Sequence, residues 1–200
     1  MAKYQGGKMS GKVGDVIHSN WNGREYVRKR PETVANPRTE AQQSHRNAFA
    51  EISRLSSAMK DGHKVGLHNK AVRKQTNTFS VFKKINKDCY SPDGIDYQHV
   101  CISSGSVAIT HITAASVDAQ GKVHVEFQGN SGPEYENDEF YLYVFCPDQH
   151  DGHFAPPVKR KVGMASAIIP PEWLGHTLHL YAFMKGKRGQ TSNTIYVGQF

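Results

Sequence analysis

The chain has 200 residues, with 25 Lys+Arg, 18 Asp+Glu, a formal net charge of +7 and 38% hydrophobic residues. That length is enough for one large domain or two small ones with a buried core, and once its 18 glycines are counted the composition is that of a folding chain, which excludes a disordered one. Cys89, Cys101 and Cys146 form no Cys-x-x-Cys pair, which argues against a zinc ribbon, a dithiol motif and a disulfide scaffold; free thiols are expected, with a Cys89–Cys101 bridge as the sharper alternative.

The charge is divided between the two ends. Residues 1–90 carry 18 Lys+Arg against 7 Asp+Glu, net +11, whereas residues 91–200 carry 7 against 11, net −4. A basic segment of this size points to a polyanion, an anionic surface or an acidic protein face. The first eight residues, MAKYQGGK, have no apolar run behind their charges and do not read as a secretory signal. No later stretch approaches the roughly 18 apolar residues of a membrane span. A cytoplasmic or virion location without a membrane partner is the expectation.

Residues 13–21 and 24–30 alternate like strands around Asn22-Gly23, the pair that a type I′ hairpin turn favours because both positions need positive φ. In the second strand Tyr26, Arg28 and Arg30 share one face and Val27 and Lys29 the other. Pro31 ends it. After the Asn36-Pro37-Arg38 connection, Thr39 and Gln42 have capping-box spacing for a helix starting near Glu40. Ala41, His45, Ala48, Phe49, Ile52, Leu55 and Met59 form its apolar stripe, and Asp61-Gly62 is expected to end it with an αL cap. Shorter helices are expected over 65–76 and 78–86. Turn compositions at 91–94 and 103–106 suggest a passage between domains. Beyond it, 114–118, 122–128, 140–146, 158–162, 166–169, 177–184 and 194–197 read as seven short strands. The fold class is therefore α+β: a basic hairpin-plus-helices domain over 1–104, then an all-β, immunoglobulin-like or fibronectin-like sandwich over 105–200.

The motifs Gly11-Lys12-Val13-Gly14, Trp21-Asn22-Gly23, Val27-Arg28-Lys29-Arg30-Pro31, Asn36-Pro37-Arg38-Thr39 with Gln42, Arg46 and Phe49, and Ser192-Asn193 before Tyr196-Val197-Gly198 carry a resemblance over most of the chain. Together they resemble an uncharacterised protein family of Bacteroidota and their mobile elements. The resemblance implies a structural protein in a phage or mobile-element setting and brings no established activity.

No catalytic signature is present, so no cofactor or small-molecule substrate is expected. His150 and His153 with Cys146, Asp148 and Asp151 are the nearest approach to a metal cluster, but the spacing matches no zinc pattern and polar loop residues are the simpler reading. Gly11-Lys12-Val13-Gly14 lacks Walker spacing. The acidic run Glu134, Glu136, Asp138 and Glu139 reads as a solvated loop in preference to a Ca²⁺ site. There remains the basic half. Arg24, Arg28, Lys29, Arg30 and Arg38, joined by Lys70, Arg73, Lys74, Lys83 and Lys84, are candidate polyanion contacts, with Trp21 and Tyr26 as stacking rings. The competing explanations are an acidic protein neighbour and a cationic strand that guards a sheet edge. Two functions follow: a non-enzymatic structural or assembly protein, homo-oligomeric or docked on an acidic subunit or polyanion, and a cytoplasmic DNA- or RNA-binding protein with backbone-driven, salt-sensitive affinity.

Overall fold

A computed structural model describes residues 3–5, 8–33, 38–91, 94–129, 132 and 135–200, with the backbone alone at 3–5 and 8. The Asn36-Pro37 connection, the Pro92-Asp93 part of the 91–94 turn and Glu134 of the acidic run lie outside the described residues. The fold is α+β, and the chain groups into two compact units, Met1–Gln43 and Ser44–Phe200.

In the first unit β1 (Lys3–Gln5), β2 (Lys8–Val13), β3 (Val16–Trp21) and β4 (Arg24–Lys29) form one antiparallel sheet in that order. Asn22 and Gly23 have φ of 54° and 81°, so the expected tight turn joins β3 to β4. The stretch 13–21 is not one strand. Gly14, with φ of 56°, turns the chain between β2 and β3, a conformation that residues with a Cβ rarely adopt.

Helix α1 (Glu40–Ala58) starts at the expected capping box, where Thr39 Oγ1 accepts from the Gln42 N–H at 3.4 Å. It is followed by α2 (Lys60–Gly66), α3 (His68–Arg73) and α4 (Thr78–Ile85), the last capped by Asn77 Oδ1 accepting from the Ser80 N–H at 2.7 Å. Gly62 is not an αL cap. It lies inside α2, where a Cβ would stand 3.2 Å from the Tyr143 ring, so its role is close packing.

A short hairpin of β5 (Tyr90–Ser91) and β6 (Gly94–Ile95) leads into two larger sheets. These are built from β7 (Ile112–Val117), β8 (Lys122–Phe127), β9 (Glu139–Cys146), β10 (Asp151–Phe154), β11 (Val158–Lys159), β12 (Met164–Ile168), β13 (His179–Lys185) and β14 (Ile195–Gln199). One sheet runs β12-β8-β7; the other runs β10-β9-β13-β14, with β11 also on β9. Relative to the expected strands, β10 is additional, and the 158–162 stretch turns into a 3₁₀ helix after two residues.

The register Leu180↔Val144 and Tyr181↔Tyr143 sorts the central strands into two buried faces. Phe140, Leu142, Val144, Leu180, Ala182 and Met184 meet Val123, Val125, Phe127, Ala165 and Ala167 of the other sheet in one core. Tyr143, Phe145, Tyr181 and Phe183 meet Ile52, Leu55, Met59, Leu67, Val81 and Phe82 of the helices in a second. The helices thus share a core with the sheet, and the division of the chain falls at Gln43/Ser44 where the sequence suggests 104/105. Polar staples fix this arrangement. Buried Asn86 donates to Cys101 O at 3.0 Å and accepts from the Cys101 N–H at 2.7 Å, while Thr191 Oγ1 donates to Gly66 O at 3.0 Å. Thr194 Oγ1 accepts from the Ile102 and Ser103 N–H groups at 2.9 and 2.8 Å. The Ser192-Asn193 motif therefore sits in a stapling segment just ahead of β14.

Candidate polyanion-contact surface

The cross-strand register builds the site. Trp21 pairs with Arg24, Ser19 with Tyr26, Ile17 with Arg28, and Lys12 with Ile17. Directly opposed residues of an antiparallel pair project to the same face. One face of the N-terminal sheet therefore gathers Lys12, Arg24 and Arg28 around Ile17, Trp21 and Tyr26. Trp21 is 70% exposed and Tyr26 49% exposed, so both rings are open to a partner. Lys29 lies on the opposite face with Glu25 and Val27 and forms an exposed 3.8 Å ion pair with Glu32. Arg30 falls one residue beyond β4, its N–H donating to Asp15 O at 2.7 Å. Arg38 lies outside the strands, with its carbonyl accepting from the Gln43 side chain at 2.9 Å. Strand β4 is an edge, exposed along its whole length, so its cations also discourage unwanted strand addition.

The remaining predicted cations belong to the second unit. Lys70 Nζ donates to Ser104 Oγ at 2.8 Å, which gives it a structural bond. Arg73 ends α3, and Lys74 follows it, exposed. Lys83 and Lys84 lie on α4, where Lys83 Nζ stands 4.4 Å from the Phe49 ring centre and 4.6 Å from that of Phe79.

The model of a family of unknown function, DUF6266, matches residues 7–198. The chain belongs to the DUF6266 family. No curated protein matches it. The DUF6266 match spans the strands β2 to β4 that carry the cationic face, the helices and nearly all of the two larger sheets.

The histidine-rich loop of this DUF6266 protein does not converge on one point. Cys146 faces the core, the His153 ring packs 5.1 Å from that of Trp173, and His176 Nδ1 lies 2.9 Å from Asp148 Oδ2. Among the described residues no three His, Cys, Asp or Glu side chains are placed to hold a metal ion. Of the acidic run, Asp138 is buried and Glu139 stands 3.6 Å from Lys159 Nζ. Arg160, fully buried, donates to Ala108 O and sits over the Tyr135 ring. All three thiols are free, and Cys89 and Cys101 both point at His99 O, at 3.5 and 3.6 Å. Burial pushes the Cys89 thiol up to about 11, which leaves it protonated and unreactive at neutral pH.

Sequence reasoning missed Lys12 and Ile17 on the cationic face. Their signal was the glycine turn at Gly14, which separates β2 from β3 and brings Lys12 alongside Ile17.

Proposed function

We propose that this protein is a non-enzymatic structural or assembly protein that docks on a polyanion through the cationic, aromatic face of its N-terminal sheet. One observation carries the reading: Trp21 and Tyr26 stand open beside Lys12, Arg24 and Arg28 on one face of a sheet whose edge strand is exposed throughout. Sheets normally hide an apolar face against a second layer, and rings left open among guanidinium groups suit contact with an anionic partner. We read β12-β8-β7 facing β10-β9-β13-β14 as an immunoglobulin-like order, in which this second unit is the scaffold that presents the contact. A virion or mobile-element setting belongs to the same reading.

The open rings favour one second reading, a nucleic-acid-binding protein that stacks bases on Trp21 and Tyr26. Light scattering coupled to size-exclusion chromatography, with absorbance at 260 and 280 nm, separates the two. Assembly gives a large species that persists after nuclease treatment. Nucleic-acid binding gives a small species that carries nucleic acid at low salt and sheds it as salt rises. A monomer free of nucleic acid at every salt contradicts both.

A further inference from the structure

The apolar stripe of α1 is only half used. Ile52, Leu55 and Met59 are buried, whereas Ala48 is half-buried and Phe49 is 56% exposed. Beside this open half, His45, Ala48, Phe49 and Ile52 of α1 and Ser80, Lys83 and Lys84 of α4, with Lys87 and Asp88, line a groove of about 640 Å³. The floor is hydrocarbon and the rim is cationic. Lys83 lies against the Phe49 and Phe79 rings and not against a carboxylate, and Lys87 has Asp88 at 3.6 Å. Among the described residues neither Lys83 nor Lys84 forms an ion pair.

We propose that this groove docks an acidic protein segment, an amphipathic helix with apolar side chains on one face and carboxylates flanking them. The α1 residues from 45 to 52 span about 10 Å at 1.5 Å per residue, the reach of two helical turns, which matches anchors at i, i+3, i+4 and i+7. Charge selects the occupant. A second copy of the same face would set three lysines against three lysines, and the Met1–Gln43 unit, with eight Lys+Arg against four Asp+Glu, is cationic as well. A nucleic-acid backbone would satisfy the lysines but leave the exposed parts of Ala48 and Phe49 uncovered. An acidic helix satisfies both parts of the groove, and the residues it uses are independent of the N-terminal sheet.

The test is fluorescence anisotropy on the full chain with a labelled helical peptide of about 14 residues, with leucines at the four anchor positions and glutamates around them. The controls are the same peptide with glutamines for leucines and a single-stranded oligothymidylate competitor. The leucine peptide is expected to bind more tightly than the glutamine peptide by about tenfold or more. Lys83→Glu/Lys84→Glu and, separately, Phe49→Ala are expected to weaken it by a similar factor with an unchanged circular dichroism spectrum. No binding of the leucine peptide, equal binding of both peptides, insensitivity to the Lys83/Lys84 reversal, or displacement of the peptide by the oligonucleotide overturns the proposal.

Discussion

Two antiparallel sheets in this chain solve the same problem in opposite ways. Strands β9 and β13 have both faces buried, one against the second sheet and one against four helices, and Leu180, Tyr181, Ala182, Phe183 and Met184 are all fully inaccessible. Strand β4 is exposed at every residue, and its sheet leaves Met9, Val13, Trp21, Tyr26 and Val27 open. Hydrophobic area removed from water stabilises the first sheet, at roughly 1.5–3 kcal/mol per large apolar side chain. The second sheet keeps its apolar and cationic groups available. On the proposed function, stability and contact are carried by different parts of the molecule, and substitutions in the two sheets should separate them.

The largest effect is expected in the central sheet. Phe183→Ala removes a fully buried ring stacked on Tyr141 and should cost about 3–5 kcal/mol, read as a lowered urea midpoint. The matched change Trp21→Ala should move that transition by no more than about 0.5 kcal/mol. Equal losses would erase the distinction between the sheets.

A pH effect comes next. His63 is buried between Phe79 and Phe82; its Nε2–H donates to Ser56 O at 2.9 Å, and Nδ1 has no partner among the described residues. Burial is the largest effect and lowers its pKa below the usual 6.5; the Ser56 bond and Asp61 raise it by less, and Lys60 lowers it slightly further. The unfolded chain therefore binds more protons, so the stability linked to this histidine is complete above about pH 6.5 and is lost as pH falls below it. His179, also lowered by burial, adds to the same trend. Urea midpoints at pH 7.5 and 5.5 should fall on acidification, and His63→Gln should reduce that fall. A variant with an undiminished pH dependence would remove His63 from the explanation.

The difference between the sheets also accounts for what could be read directly from residues. The hairpin was legible because Asn22-Gly23 acts locally, and α1 because Thr39 and Gln42 cap it within one turn. Strand β8 was legible from alternation, whereas β10 was not expected and the 158–162 stretch keeps only two strand residues. The helices' allegiance was not, because a basic helix reads the same whether it packs on a hairpin or on a sheet; Gly62 against Tyr143 is a contact between residues 81 positions apart. The clue lay in β9, whose Phe-Tyr-Leu-Tyr-Val-Phe-Cys run is apolar on both faces, the pattern of a strand covered twice. Within the candidate site, Arg24, Arg28, Trp21 and Tyr26 follow from strand periodicity. Lys12 required the register across β2 and β3, and assigning Lys83 and Lys84 to the second unit required the helical core.

The most direct test of the central claim is the salt dependence of binding to a fluorescent single-stranded oligonucleotide and to heparin, for the natural chain and for Arg24→Glu/Arg28→Glu. The account predicts that the double variant binds both polyanions more weakly, with a shallower slope of log affinity against log salt, while its urea midpoint is unchanged. Unchanged affinity and slope would contradict it and remove the N-terminal sheet as the contact surface.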